Sequence, residues 1–559
     1  MTATTSSPES GVRSKRIATF AALAVFVLAL AAALAWIERW NAWTNPIFAA
    51  RPHPALPHAL LHHHMQPESD LLYALPWESP LFAVTDAVID RFGRTYSAIM
   101  RAQYLFYALA ALGLAAAAWA RAGARMGAFA GLLALAAPVP IAAALGMDDH
   151  ALILALAAWS LCAMVVSERM TRPAPALVAG LLAGLAMRWA FVPSSGLLAV
   201  ATIACAAGCD ALAGAVDRYG GVRAWWRMRR RPEAWRAVIG LGAMMAAFAV
   251  AAWWRSPNPP LQLGYYSAEA GESAAFGAGA WLAGVPAYAL LAARFQLGPV
   301  LAATTCVALV VLWRTRHDDR ALVTGWILVP ILALSLVPKR NAYYGWCALL
   351  AAPFAISLLV ATIEKTWARV GLAVAIALGA MSWSVARMLA PEPNVPGSAT
   401  FRHFEQSSMY VLTRPDFTIE GARAPERAML DALRERLGAD ERVLVVLLGT
   451  QEPFEQLRYH LLMRDADAQL HILALAGRNP PDDARPFFAE VAPSRGVARP
   501  FADVVSDAME RLRRQFGSET PISHPTMGYL QRLAEHAGEV EPAYIGERIV
   551  VYDRAGGAP

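Results

Sequence analysis

Two adjacent carboxylates, Asp148 and Asp149, lie where the uncharged run 126–147 ends. Ionisable groups at the boundary of a hydrocarbon-length run face water or a cavity, because burying them in hydrocarbon is costly. In an outward cavity such a carboxylate could act as a general base or as a metal ligand. A solvated turn that also N-caps the following helix is the simpler interpretation of these residues. Spacing alone leaves both interpretations open.

Further ionisable residues occupy a loop of residues 39–97, which is dense in proline and aromatic residues and long enough to fold over a membrane surface. The loop and its first flanking residue contain the carboxylates Glu38, Glu68, Asp70 and Glu78, which we take as candidates. Its histidines are His53, His58, His62, His63 and His64, and they raise the hypothesis of a divalent metal. Three consecutive histidines point in different directions in any regular structure, which argues against that hypothesis.

A third candidate site is the segment VPKRNAYYGW (337–346). Lys339 and Arg340 lie at the outer mouth of a predicted span, where cations are disfavoured by the positive-inside trend. They could extend toward lipid phosphates at the membrane surface. Alternatively they bind a substrate phosphate by charge-assisted hydrogen bonds, with Tyr343 and Tyr344 as interfacial anchors.

Composition and run length predict a membrane protein. Hydrophobic residues make up 57% of the chain and charged residues only 16%, against about a quarter charged in an ordinary globular domain. Eleven runs reach or approach the roughly 17 to 25 residues that cross a bilayer as a helix. These predicted spans are 17–37, 102–120, 126–147, 151–167, 173–187, 189–209, 237–254, 295–313, 321–338, 341–363 and 370–386.

The arginine distribution predicts which side each loop occupies. The loop 210–236 carries seven arginines and is expected in the cytoplasm, as is the N-terminus. The uncharged segment 273–293 is also long enough to span, but a span there would move later arginines to the outer side. We therefore expect an interfacial or re-entrant helix there. The net charge of +6 is explained by this topology, so we expect no nucleic-acid partner.

The chain changes character beyond about residue 391, where charged residues become frequent. The segments 441–449 and 468–475 are typical of buried strands, and 452–463 is typical of a helix. This pattern predicts a small α/β soluble domain (391–559) after a transmembrane domain (1–390). The five cysteines all lie in predicted spans, which provides neither a disulfide framework nor a CxxC metal site for the soluble parts.

The order of these elements resembles the GT-C fold of membrane glycosyltransferases, particularly the branch of lipid A aminoarabinose transferase and protein O-mannosyltransferases. The segment WESPLF (77–82), Gly93 and Arg101 resemble that family's surface helix and the arginine of its next span. Either Asp148 or Asp149 matches the acidic residue after the third span. PALVAGLLAGLAMRWAF (175–191) and PKRNAYYGW resemble later elements. The family's Asp-Glu pair after the first span is absent, and only Glu38, Glu68 or Asp70 can replace it.

This resemblance implies a polytopic α-helical, GT-C-like protein of a bacterial inner membrane, with its C-terminal domain outside. It implies transfer of a sugar from a polyprenyl-phosphate carrier to an acceptor at the outer face. A carboxylate would serve as base, and Lys339, Arg340 and Arg101 would bind the donor phosphate. The rival classes are a transporter, which needs more polar residues at mid-membrane depth, and a catalytically inactive scaffold.

Overall fold

The structure is a computed structural model. It describes residues 8–44, 87, 91, 96–145, 150–189, 193–221, 223, 232–253, 285–286, 288–335, 345–389, 443–447, 470–474, 485–491, 498–516, 525–545 and 549–554. The chain divides into two compact units, the first mainly residues 1–39 and 100–414 and the second mainly residues 415–559. The predicted domain boundary at 390–391 lies outside the described residues.

The first unit is helical. Its helices are α1 (Pro8–Thr44), α2 (Tyr96–Ala122), α3 (Ala124–Ala136), α4 (Pro138–Leu145), α5 (His150–Val166), α6 (Pro173–Trp189), α7 (Pro193–Tyr219), α8 (Pro232–Trp253), a π-helix (Ala292–Gln296), α9 (Gly298–Arg314), α10 (Arg320–Leu334), α11 (Trp346–Leu349), α12 (Ala352–Ala361) and α13 (Thr366–Leu389). Proline begins several of them, since its fixed φ suits the first helical turn, where no N–H is needed.

Each predicted span overlaps an apolar helix among the described residues. Those long and apolar enough to cross a membrane are Ile17–Trp40, Met100–Ala122, Gly196–Arg218, Trp235–Ala252 and Thr366–Leu389. Helices α3 and α4 form a sixth, bent by 55°, because Pro138 and Pro140 interrupt the backbone hydrogen bonding. Shorter apolar segments are His150–Val166, Pro173–Trp189, Gly298–Arg314, Arg320–Leu334 and Trp346–Ala361. The chain is thus a multi-pass membrane protein, and eleven remains the predicted number of its spans.

Ion pairs join one end of this bundle, which we call the Arg121 end. Arg121 binds Asp319 at 3.0 Å. Asp217 accepts from Arg169 at 2.7 Å and from Arg320 at 2.5 Å. These residues belong to the loops that the arginine distribution assigns to one side of the membrane. The structure therefore places these loops together at the same end.

Helix α8 ends, and α9 begins, at the end of the bundle opposite the Arg121 end. Helices α6 and α8 run parallel, because Gly240 packs on Met170 while Gly184 packs on Ala251. Helix α8 therefore points away from the Arg121 end, and α9 returns toward it. The re-entrant or interfacial helix expected at 273–293 lies mostly outside the described residues and stays a prediction.

Glycines allow α6 and α8 to pack in backbone contact. A Cβ atom at Gly180 would lie 1.9 Å from the Met244 carbonyl oxygen, and one at Gly240 would lie 1.9 Å from the Met170 carbonyl oxygen. Membrane helices use small residues in this way because close packing replaces the missing hydrophobic driving force.

We expect Gly180→Ala to destabilise the protein by about 1 to 3 kcal/mol, because the added methyl group must push two backbones apart. The matched control is Gly242→Ala, where a Cβ atom would meet nothing within 4 Å; alanine there should be neutral or stabilise by up to about 1 kcal/mol. Thermal unfolding in detergent measures both. Equal melting temperatures for the two variants would contradict the described α6–α8 packing.

The second unit contains an α/β domain, as predicted. Its sheet has the order β2-β1-β3-β5-β4, with β1 (Val443–Leu447), β2 (Leu470–Ala474), β3 (Arg485–Val491), β4 (Val540–Ile545) and β5 (Ile549–Arg554). Strands β1, β2 and β3 are parallel, and β5 is antiparallel to β3. Helices α14 (Phe501–Phe516) and α15 (Pro525–Glu535) cover it. The expected strands 441–449 and 468–475 are confirmed as β1 and β2, whereas the helix expected at 452–463 lies outside the described residues.

Candidate functional site

The end of the bundle opposite the Arg121 end, here called the Glu38 end, holds the described part of the candidate site. Glu38 lies near the end of α1 and Arg101 near the start of α2. Arg101 donates to Glu38 Oε1 from Nε at 3.2 Å and from Nη2 at 2.6 Å. Both side chains are about one-third exposed. Two residues selected independently from the sequence, one as a carboxylate and one as a phosphate ligand, are therefore paired.

A second pair of residues at this end, Arg387 and Arg294, consists of two cations that were not predicted as site residues from the sequence. Arg387 lies near the end of α13 and is buried, with 9% of its surface exposed. Its Nε and Nη2 are buried and have no hydrogen-bond acceptor within the part of the chain that the structure describes. Its guanidinium stacks on the Phe295 ring at 4.9 Å from the centroid, and Arg294 lies 5.1 Å from the same centroid.

Two like charges at one ring repel each other, and burying a cation without an acceptor costs several kcal/mol. A buried guanidinium of this kind is stabilised when an anion accepts hydrogen bonds from its Nε and Nη2. Phosphate and carboxylate groups are the anions that a guanidinium binds through two parallel hydrogen bonds. Arg294 and Phe295 lie in the π-helix, a rare element that is frequent at functional sites.

One contact between helix ends shows that the Glu38–Arg101 pair and the Arg294–Arg387 pair lie at the same end of the bundle. The Trp36 indole donates to the Met388 sulfur at 3.5 Å. Trp36 lies two residues before Glu38, and Met388 directly follows Arg387. The ends of α1 and α13 therefore meet, with Glu38 and Arg387 at the same end of the bundle. We use the name Glu38-end cluster for two groups that share this end of the bundle, the Glu38–Arg101 pair and Arg294 with Phe295 and Arg387, each held by its own contacts.

Some residues that flank the remaining candidates in the sequence are described, and they lie near the π-helix. Gln296 lies against Gly345, where a Cβ atom would come within 3.3 Å of its side-chain oxygen. Trp346 makes an edge-to-face contact with His150 at 5.2 Å between ring centroids. His150 directly follows Asp149, and Gly345 directly follows Tyr344. The described residues His150, Gly345 and Trp346, which flank the acidic and the basic-aromatic segments in the sequence, thus lie close together, whereas the segments themselves lie outside the described residues.

The other predicted site residues lie outside the described residues. They are Glu68, Asp70, Asp148, Asp149, Lys339, Arg340, Tyr343 and Tyr344, and their roles remain predictions. The loop histidines proposed as metal ligands lie outside as well. Within the ranges given above, no three His, Cys, Asp or Glu side chains come together as a metal site would require.

Sequence reasoning missed Arg294 and Arg387, although a signal for both was present. Arg387 directly follows the uncharged run 370–386, and Arg294 directly follows 273–293. Both cations lie at the end assigned to the outer side. The positive-inside criterion that selected Lys339 and Arg340 would therefore have selected them too.

Fold and site together define a multi-pass α-helical membrane protein with a cluster of cations and a carboxylate at one end of its bundle and an α/β domain at its C-terminus. No protein-family model matches the chain, and no curated protein matches its sequence.

Several solved structures are similar to the chain. The apo structure of ArnT from Cupriavidus metallidurans is 16% identical with a TM-score of 0.49, covering 95% of this chain and 98% of that one. The structure of the same protein bound to undecaprenyl phosphate is 15% identical with a TM-score of 0.49, and the match covers 95% of this chain and 99% of that one. An Archaeoglobus fulgidus oligosaccharyltransferase tethered to an acceptor peptide is 12% identical with a TM-score of 0.39, and the match covers 81% of this chain and 64% of that one.

Proposed function

We propose that this chain is a membrane glycosyltransferase that moves a sugar from a polyprenyl-phosphate donor to an acceptor at the outer face of the membrane. The observation that carries the proposal is the buried Arg387 guanidinium, whose Nε and Nη2 have no acceptor among the described residues. A lipid-linked donor reaches the protein laterally through the bilayer, so its phosphate arrives at headgroup level, where the bundle ends.

The proposed reaction needs two kinds of group. One carboxylate removes the proton from the acceptor hydroxyl as its oxygen attacks the anomeric carbon. The bond from the anomeric carbon to the phosphate oxygen breaks, and polyprenyl phosphate leaves as an anion stabilised by cations. A single displacement inverts the anomeric configuration.

Among the candidate carboxylates, Glu38 is supported by its position in the Glu38-end cluster. Arg101 holds its Oε1, and Oε2 accepts no hydrogen bond from the described residues, so it could accept the acceptor's proton. Asp148, Asp149, Glu68 and Asp70 remain alternative or additional bases. Arg387 and Arg294 are assigned to the donor phosphate. Lys339 and Arg340 are proposed as further phosphate ligands, with Tyr343 and Tyr344 as interfacial anchors.

Purified protein in lipid nanodiscs with a radiolabelled polyprenyl-phosphate sugar and envelope extract as acceptor tests this activity. We expect label to leave the lipid and polyprenyl phosphate to accumulate, both dependent on the protein. Binding of polyprenyl phosphate without turnover of any sugar form would favour the inactive scaffold. Movement of the intact lipid across the membrane would favour a transporter.

The proposal also requires the Glu38 end and the C-terminal domain to face outward and the N-terminus to be cytoplasmic. Alkaline phosphatase fused after residue 400 should be active in a bacterial inner membrane, and the same enzyme fused near Arg227 should be inactive. The reverse pattern would place the cluster on the cytoplasmic side and exclude an outer-face reaction.

A further inference from the structure

A cavity of about 640 Å³ opens at the Arg121 end of the bundle, far from the Glu38-end cluster along α1 and α13. Its walls come from the start of α1, the start of α3 and the first half of α13. The lining residues include Arg125, Phe129, Leu132, Arg369, Val374 and Ala377. We call this cavity the α1–α3–α13 groove.

Polarity changes along the groove as it does along a phospholipid. Arg125 and Arg369 lie at its rim, and the residues further along both helices, such as Phe129, Leu132 and Ala377, are apolar. From Arg369 to Ala377 a helix rises about 12 Å, which approaches the roughly 15 Å of one hydrocarbon leaflet. The groove is therefore long enough for most of an acyl chain below a headgroup.

The groove borders the membrane-facing surface. Val370 and Val374 line it and are 56% and 51% exposed, so a lipid can enter from the side. Its described lining contains two arginines and no Asp or Glu. Arg369 donates two hydrogen bonds to the Ile363 carbonyl oxygen, which fixes its guanidinium at the rim. Arg125 is exposed and pairs with no carboxylate among the described residues.

We propose that the α1–α3–α13 groove binds an anionic phospholipid from the leaflet at the Arg121 end. The headgroup phosphate contacts Arg125 and Arg369, and an acyl chain lies against Phe129, Val374 and Ala377. This site is distinct from any donor site at the Glu38 end, and it does not depend on the proposed activity.

Native mass spectrometry of the full-length protein, released from vesicles of equal phosphatidylglycerol and phosphatidylcholine, tests the proposal. The wild type should retain phosphatidylglycerol in preference to phosphatidylcholine. A basic residue near the surface contributes enough to change lipid affinity by about fivefold, so R125Q should lower this preference about fivefold and R125Q/R369Q about thirtyfold. Because Arg125 is exposed, R125Q provides a test even if the double variant folds poorly.

The matched control is R314Q. Arg314 is an exposed arginine near the same end of the bundle, at the end of α9, and lies outside the groove lining. Its replacement should leave the preference unchanged. Equal retention of both lipids by the wild type, or an equal loss in R314Q and R125Q, would overturn the proposal. Stabilisation of the protein by inorganic phosphate as strongly as by phosphatidylglycerol would also overturn it, because the groove would then be a free-anion site.

Discussion

Replacing Arg387 with glutamine should reduce sugar transfer by about a hundredfold or more while leaving the protein folded. The loss follows from removing a charged donor aimed at a developing phosphate anion in a site partly shielded from water. The effect should appear in kcat as well as in donor KM, because the charge on the leaving phosphate grows in the transition state. Transfer kinetics in nanodiscs measure both constants.

Stability provides the control that separates this role from a structural one. Arg387 is buried and its Nε and Nη2 lack acceptors among the described residues, so removing its charge relieves a desolvation cost. The stacking on Phe295 offsets only about 0.5 to 2 kcal/mol of this. The melting temperature of R387Q should therefore stay constant or rise. A lowered melting temperature together with normal transfer would show that Arg387 is structural.

Replacing Glu38 with glutamine should reduce kcat by about 10² to 10⁴-fold, the contribution usual for a positioned general base. Glutamine keeps the size of the side chain and can still accept a hydrogen bond from Arg101, but it cannot take up a proton. Donor binding should change little, because the phosphate ligands remain. Single-turnover transfer from labelled donor, compared with donor binding, separates the two effects.

The matched variant is Arg101→Gln, which breaks the same ion pair from the other side. The pair is partly exposed, so it contributes about 1 kcal/mol or less to stability, and both variants should melt close to the wild type. If Glu38 served only to pair with Arg101, E38Q would lose no more activity than R101Q, which removes the same pair together with a predicted phosphate ligand. A fully active E38Q would move the base to Asp148 or Asp149, and D148N and D149N would then lose transfer instead.

The helical framework could be predicted from the sequence because run length is a direct consequence of bilayer thickness. Each predicted run coincides with an apolar helix or with the bent α3–α4 pair. Even the short run 173–187 becomes α6, which extends two residues further, past Arg188 to Trp189. The parallel packing of α6 and α8 depends on the exact matching of Gly180 and Gly240 with facing carbonyl groups, which requires the three-dimensional structure.

The candidate site could be predicted only in part. Glu38 and Arg101 were each identifiable from position in the sequence, but 62 residues lie between them, and only the meeting of α1 and α2 joins them. Arg294 and Arg387 were visible as outer-side cations, yet their convergence on Phe295 depends on the π-helix. Local sequence carries little signal for a single π-turn, because it differs from an α-helix by one hydrogen bond.

A cryo-EM structure of the protein with polyprenyl phosphate in a nanodisc tests the central claim most directly. We predict density for a phosphate within hydrogen-bond distance of the Arg387 guanidinium, with Arg294 beside it and the Glu38 carboxylate within the length of one sugar ring. The isoprenoid chain should leave the bundle sideways toward lipid. A phosphate bound elsewhere, with Arg387 still stacked on Phe295 and lacking an acceptor, would contradict the account.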